Sequence, residues 1–317
     1  MSNIIKAEKQ YEIDYVDQSG SGRFSSCPAK YFFERILGLQ NQDRDTTAMD
    51  YGTDFHVIAP LCYGAKNNEE EQLLFEKAFS LFEKLRAKRS VPDTDKKHDL
   101  EHTEPRIRNF IELHAQHICP YTIIKFPFVT PEGVDIISDN EIPFAIDIGG
   151  KLVFCGRIDF AAELVQTSEL FAGDYKTASE ISGRLWNCFD LNTQAIGYTL
   201  ALAHISNKNV TGFLVEAIRK SMDKRKTECA IHYQYITAYE VDFFIGYMNS
   251  TAENIVKCNQ EKEWPKKLSS CSIYSTTGIP SGNCPYKLLC KSDDWRTVAS
   301  YYHQTEPFHP FKLESGK

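Results

Sequence analysis

At 317 residues, 42% hydrophobic and 25% charged, the chain has the make-up of a globular protein able to bury a sizeable core, which excludes a wholly disordered chain. A formal charge of −7 argues against a sequence-independent coat over nucleic acid, while leaving room for a local basic groove. No apolar run reaches the about eighteen residues of a membrane span, and MSNIIKAEKQ lacks the apolar stretch of a secretory signal, so a cytoplasmic location without membrane association is expected.

In chain order, residues 25–39 (SSCPAKYFFERILGL) predict a helix with serine at its start and proline in its first turn. A second helix is predicted over 46–63, and 67–89, rich in Glu, Lys, Leu and Phe, reads as an amphipathic third. VPDTDKKHD breaks that pattern and 103–117 resumes it. From Tyr121 the period changes: YTIIKFPFV, EIPFAIDI, KLVFCGRIDFAAELV and ELFAGDYKT are rich in β-branched and aromatic residues, with Gly149-Gly150 as a hairpin turn between two of them. Residues 184–205 return to a helical pattern, NVTGFLVEAI and ECAIHYQYI read as strands, and Thr237-x-x-Glu240 is a capping box opening a long helix. The order predicts an α/β core with a helical insertion at 60–120 and a cysteine-rich segment at 258–295.

The most informative stretch is Gly156-Arg-Ile-Asp159 followed by Gly173-Asp174-Tyr-Lys176-Thr. Asp174 and Lys176 are two apart on a predicted strand, so their side chains share a face. A hairpin turning around residues 166–168 would bring Asp159 alongside Asp174. Two carboxylates and an ammonium would then converge, an arrangement suited to phosphodiester hydrolysis. Hard oxygen ligands hold Mg²⁺, the ion activates water, and the lysine orients that water or stabilises developing phosphoryl charge. An edge-strand salt bridge is the plainer reading of a D-x-K triplet. Against it, Asp159 and Asp174 both stand in apolar runs, where an unpartnered carboxylate is costly.

The order G-R-I-D then D-Y-K-T resembles the RecB-like branch of the PD-(D/E)XK nucleases, whose core is a restriction-endonuclease-like mixed sheet flanked by helices. Three further segments resemble that branch in order. Gly52-Thr-Asp-Phe-His56 is similar to its G-x-x-x-H motif, which implies His56 as a metal ligand with Asp159 and Asp174. Gln194-Ala-Ile-Gly-Tyr198 is similar to its Q-x-x-x-Y motif, which implies that Gln194 and Tyr198 face the active site and the DNA. Glu141 matches the upstream catalytic glutamate. The resemblance runs from Cys27 to Cys290 and treats 1–317 as a single nuclease domain, although 60–120 carries no motif.

Ten cysteines are many for a reduced compartment. Cys271, Cys284 and Cys290 lie in a Gly/Pro/Ser-rich segment with little capacity to order itself by burial, and a metal would explain their presence. Cys27 is available as a fourth ligand. The resemblance supplies the same layout, one cysteine before the nuclease core and three after it, ending C-P-x-x-x-x-C, as in CPYKLLC. It implies a 4Fe–4S cluster on Cys27, Cys271, Cys284 and Cys290. The long spacing between Cys271 and Cys284 leaves Cys258 as an alternative ligand and zinc as an alternative metal. Cys62, Cys119, Cys155, Cys188 and Cys229 are expected as ordinary apolar packing.

Basic clusters at Arg219, Lys220, Lys224, Arg225 and Lys226, and at Lys84, Arg86, Lys88 and Arg89, are candidate phosphate contacts. No Walker A motif occurs, so the chain is not itself a helicase. The expected activity is that of a Mg²⁺- or Mn²⁺-dependent DNA exonuclease acting on ends or single strands, in recombination, repair or phage DNA processing, with a helicase or recombinase as possible partner. A non-catalytic DNA-end-binding subunit and a CRISPR prespacer-trimming endonuclease are the alternatives.

Overall fold

The strand-rich run from Tyr121 onward is divided between two compact units rather than gathered into one sheet. The computed structural model describes residues 4–40, 47–89, 98–129, 135–138, 140–220, 228–271 and 284–306. One unit comprises residues 1–44, 143–156 and 242–317, and the other residues 45–142 and 157–241. The fold is α/β, as expected, with mixed sheets and helices.

The second unit is built on a five-stranded sheet. Its elements in chain order are α1 (Thr47–Ile58), α2 (Asn68–Ala87), α3 (Leu100–Leu113), β1 (Tyr121–Ile123), β2 (Phe160–Leu164), β3 (Leu170–Ala178), α4 (Thr193–Ser206), β4 (Gly212–Arg219) and β5 (Cys229–Tyr235). The strand order is β5-β4-β3-β2-β1, and β3–β4 is the parallel pair. A parallel pair needs a crossover, and α4 lies in it. Phe171, Tyr175, Leu214 and Ile218 pack in one cluster with Phe55, Phe82 and Phe110 from the three helices before β1. Side chains alternate across a strand, so Asp174, Lys176 and Phe213 point to the opposite face. There Tyr198 of α4 meets Phe213 edge-on with ring centroids 6.1 Å apart. Residues 60–120 therefore supply two helices to the sheet's apolar cover.

The helices start where short polar side chains cap them. Asn67 accepts from Glu70 N, Asp99 from His102 N, and Asn192 from Gln194 N and Ala195 N. Three expected boundaries are corrected. The helix expected over 25–39 is instead two: Gln18–Ser26, capped by Asp17, and Pro28–Tyr31, which runs on as a π-helical turn over Phe32–Ile36. Cys27 between them is extended, because proline disfavours helical backbone in the residue before it. The 184–205 helix is likewise interrupted, by the short helix Gly183–Trp186 and a turn over Asn187–Phe189 before α4. The apolar run KLVFCGRIDFAAELV bends at Asp159, so that Val153–Ile158 pairs with Tyr15–Asp17 while β2 joins the five-stranded sheet.

The long helix Ala238–Glu261, most of which belongs to the first unit, opens on the expected capping box, with Glu240 N donating to Thr237 Oγ1 at 3.3 Å and Thr237 N to Glu240 Oε2 at 2.7 Å. Strand Glu263–Pro265 pairs with Ile4–Lys6 and buries Trp264, which stacks on Phe32 at 5.1 Å. Among the described residues no helix is long and apolar enough to cross a membrane.

Gly173 is required by a close approach. Its β2 partner Phe160 lays its ring across the position a Cβ would occupy and stacks on Tyr175 at 4.6 Å. Both rings are buried and have no open side to move into. Gly173→Ala is expected to destabilise the protein by about 2 kcal/mol through overpacking. Chemical denaturation checks this, and an unchanged midpoint would show that the Phe160 ring gives way freely.

Candidate active site

The bend at Asp159 and the middle of β3 face one another. Gly173 pairs with Phe160, so the next step along each strand sets Asp174 opposite Asp159. The turn residue Ser168 takes positive φ (57°), close to where the hairpin was expected. Asp159 is 7% exposed and Asp174 1%, so neither can be left to bulk water for its partners. Asp159 Oδ2 accepts from Tyr175 N at 2.9 Å and lies 3.1 Å from His56 Nδ1. His56 reaches it from α1, where Gly52 one turn earlier keeps the helix close to β3, with Thr177 Oγ1 3.4 Å from the place of a Cβ.

Asp174 is held differently. Its Oδ2 lies 2.6 Å from Lys176 Nζ, and its Oδ1 accepts from Gln194 Nε2 at 2.7 Å. Lys176 Nζ donates in turn to Gln194 Oε1 at 3.3 Å. One amide on α4 thus clasps the carboxylate and the ammonium together, with Tyr198, four residues on, hydrogen-bonded to Gln194. Glu141 sits beside the bend, with its N–H on Asp159 O at 2.9 Å. Its φ of 52° is unusual for a residue other than glycine, a cost of order 1 kcal/mol that tends to be kept at functional sites. The structure therefore brings His56, Glu141, Asp159, Asp174, Lys176, Gln194 and Tyr198 together within the second unit.

The charges support one another. Burial opposes a charged His56, but Asp159 more than offsets it and raises the imidazole to about 9. Asp159 is likewise penalised by burial, yet His56, Lys176 and the Tyr175 N–H hold it below the usual carboxylate range. Burial raises Asp174, with Asp159 adding and Lys176 opposing. Burial also works against the Lys176 ammonium, and Asp174 and Asp159 reverse that and raise it. Lys176 is therefore protonated at neutral pH and can donate hydrogen bonds but not accept a proton. Burial and the two carboxylates push Tyr198 well above its ordinary value, leaving a neutral phenol.

The site offers donors for a hard divalent ion. One ligand atom each from His56, Glu141 and Asp159 lies within 4.8 Å of the others. Asp174 Oδ2 is buried and contacted by the Lys176 ammonium, and a carboxylate oxygen has a further lone pair that a cation can use. Imidazole with carboxylates is a donor set that suits Mn²⁺, and Mg²⁺ through the oxygens.

The four cysteines singled out by the sequence meet in the first unit. Lys267 N donates to Cys27 Sγ at 3.4 Å, Lys267 Nζ to Ser25 O at 2.9 Å, and Lys266 Nζ to Cys290 O at 2.7 Å. Burial, then Cys27, Cys284 and Cys271, push the Cys290 thiol up to about 12. Burial also raises Cys284, with Cys271 and Cys27 adding to it. Cys258 has other neighbours, its thiol being raised by burial and Glu261. Among the described residues the cysteine sulfurs do not form a set within 4.8 Å. Of the cysteines expected as packing, Cys62 and Cys155 are buried and Cys119 and Cys229 half-buried, but Cys188 is exposed, because the interruption before α4 carries it outward.

Several basic residues have structural partners. Arg86 and Arg89 reach the buried Asp54 at 3.4 and 2.6 Å, and Arg89 also reaches Asp50 at 2.9 Å. Arg219 pairs with Glu228 at 3.3 Å, and Lys220 is buried over the Tyr51 ring. Lys224, Arg225 and Lys226 lie outside the described residues. Asp54 was not singled out by the sequence. Its place one turn before Ile58 on the apolar side of α1 was the available signal.

The family model of the PD-(D/E)XK nuclease superfamily matches residues 18–291. Fourteen chains of solved structures match significantly. One is the crystal structure of a protein from Eubacterium rectale provisionally named an exonuclease, 12% identical, with a TM-score of 0.51 over 96% of this chain and 94% of the other. That likeness bears out the restriction-endonuclease-like fold. No curated protein matches significantly.

The His56–Asp159 pair has a pH signature in metal-free protein. Its contribution to stability is complete below the unfolded imidazole value of about 6.5 and is lost as pH rises through about 9. Stability is therefore expected to fall across that window, and Asp159→Asn to flatten the fall. Denaturation at a series of pH values, with an NMR titration of His56, checks this. A His56 that titrates near 6.5 would mean that the pair does not form.

Proposed function

Because the chain belongs to the PD-(D/E)XK nuclease superfamily, we propose that it is a Mg²⁺- or Mn²⁺-dependent deoxyribonuclease of the RecB-like, AddB-like branch, working as an exonuclease on DNA ends or single strands. The observation that carries the reading is the convergence of Asp159, Asp174 and Lys176, with His56 on one carboxylate and Gln194 on the other. His56, Asp159 and Asp174 would hold the ion, with Glu141 close enough to join them. When bound, such an ion polarises the phosphate and lowers the pKa of water.

The chain's own residues do the rest. Lys176 keeps its proton and offers N–H donors to the attacking water or to the charge that builds on phosphate oxygens. Gln194 holds the Lys176 ammonium and the Asp174 carboxylate in one geometry, so neither has to be reorganised during the reaction. Tyr198 presents a neutral hydroxyl on the same helix face, suited to hydrogen-bonding a DNA strand.

The reading extends to a 4Fe–4S cluster on Cys27, Cys271, Cys284 and Cys290. One feature supports it: the four thiols influence one another while Cys258 does not join them. A role in recombination, repair or phage DNA processing, with a helicase or recombinase as partner, rests on the family resemblance.

Asp174→Ala and Lys176→Ala are each expected to abolish cleavage while DNA binding persists. Digestion of 5′- and 3′-labelled single- and double-stranded DNA with Mn²⁺ measures this and reads the polarity. A variant that keeps more than about a tenth of the wild-type rate, roughly 1.4 kcal/mol of transition-state stabilisation, would mean that the site is elsewhere. Wild-type protein that binds DNA ends without cutting them would point to a non-catalytic subunit.

Anaerobically purified protein is expected to be brown, with iron and sulfide in equal amounts. Cys27→Ala should lose the colour and folding stability, while Cys155→Ala should keep the colour at a modest packing cost. Colourless protein with one equivalent of zinc would overturn the cluster and leave the nuclease reading standing.

A further inference from the structure

The register of the five-stranded sheet carries the site's open face past its carboxylates. Asp174 on β3 pairs with Val215 on β4, and Val215 pairs with His232 on β5. Paired residues share a face, so Asp174 and His232 stand on the same side, two strand spacings or about 10 Å apart. On that side Trp186, at the end of the short helix after β3, lies flat on His232, with ring centroids 4.8 Å apart and planes at 12°.

This stack is not core packing. Every residue of β5 is half-buried or exposed, and Trp186 and His232 are both half-buried. The tryptophan and phenylalanine rings that do build the cores, such as Trp264, Phe160 and Phe171, are all but inaccessible. Arg184, two residues before Trp186, is exposed, and so is Leu191 at 62%, in the turn that leads into the helix carrying Gln194. The result is a part-open indole, backed by an imidazole, with a cation and an apolar side chain close by in sequence.

We propose that Trp186, backed by His232, is a stacking platform for an unpaired DNA base, and that the substrate of the Asp159–Asp174 site is therefore single-stranded DNA or a frayed end. The inference rests on the nuclease reading and adds the form of DNA that the site takes. An aromatic face accepts any base, because each base has a π-face, so the contact selects strand state and not sequence. A paired base inside a duplex has both faces covered by its neighbours and cannot use the platform. The span of about 10 Å runs from Asp174 to His232, and the indole and a stacked base lie beyond it, so the platform stands within a few nucleotides of the carboxylates at the duplex rise of ~3.4 Å per strand. A base on Trp186 is then close enough to belong to the same strand as the phosphate at Asp174, and the contact would set where along that strand the cut falls.

The test uses the full chain with Mn²⁺ and unlabelled-sequence-matched oligonucleotides, one single-stranded and one blunt duplex. Trp186→Ala is expected to raise KM for the single strand about tenfold with kcat little changed, and to alter KM for the duplex less than about twofold. Trp186→Phe should restore most of the loss. Oligonucleotide binding should quench tryptophan fluorescence in the wild type, and Trp186→Phe, which leaves two of the three tryptophans, should remove that quenching. Equal losses on both substrates, or quenching that survives in Trp186→Phe, would overturn the platform. If the wild type cuts neither DNA, the nuclease reading fails instead, and the two failures are told apart by that one control.

Discussion

Two carboxylates, Asp159 and Asp174, are buried opposite one another on neighbouring strands, and much of the second unit is arranged around that constraint. Like charges so placed repel, and burial penalises each of them further. Each is therefore supplied with its own partner from a different element. Asp159 takes His56 from α1 and the Tyr175 N–H from β3, while Asp174 takes Lys176 from its own strand and Gln194 from α4. The helices on the two faces of the sheet are tied to the same pair of acids, one through an imidazole and one through an amide.

The partners are unequal in what they leave available. The carboxylates make His56 and Lys176 hold their protons more tightly, so the site carries positive charge beside its negative charge. Under the proposed function His56 would have to give up its proton to hold a divalent ion. Lys176 is held on the other side by Gln194 and Asp174 and would keep its proton.

The first unit meets a different difficulty. Cys27 stands in extended backbone between two helices, and Cys271 and Cys290 lie in short helical turns. The turn of Cys290 is anchored by burial of Leu289 and of Tyr286, whose ring packs beside Phe33 and whose hydroxyl donates to Leu39 O. The turn of Cys271 is held to the N-terminal helices by lysine and serine hydrogen bonds to backbone carbonyls, among them Lys267 to Ser25 and Ser270 to Ser26. Such contacts fix direction and contribute little net stability, and under the proposed function a metal centre shared by the four thiols would add cohesion there.

That the candidate site's residues would stand together was largely legible in the sequence, because the cues are local. The spacing of Asp174 and Lys176 places them on one strand face, that of Gln194 and Tyr198 on one helix face, and a hairpin brings Asp159 beside Asp174. Helix boundaries were less legible: Asp17 capped a helix where Ser25 was expected to, and the proline after Cys27 broke what had read as one. Sequence by itself determined the α/β class, the two carboxylates with their lysine, and the residue types able to bind metal, since these follow from two- and four-residue periodicities and from side-chain chemistry. Only the tertiary structure decided that Glu141 stands with His56 and Asp159, that Arg86 and Arg89 are spent on Asp54, and that Trp186 lies on His232 in line with Asp174. Those contacts join residues dozens of positions apart through sheet register and helix packing, and no periodicity within a segment encodes which distant side chain will be opposite.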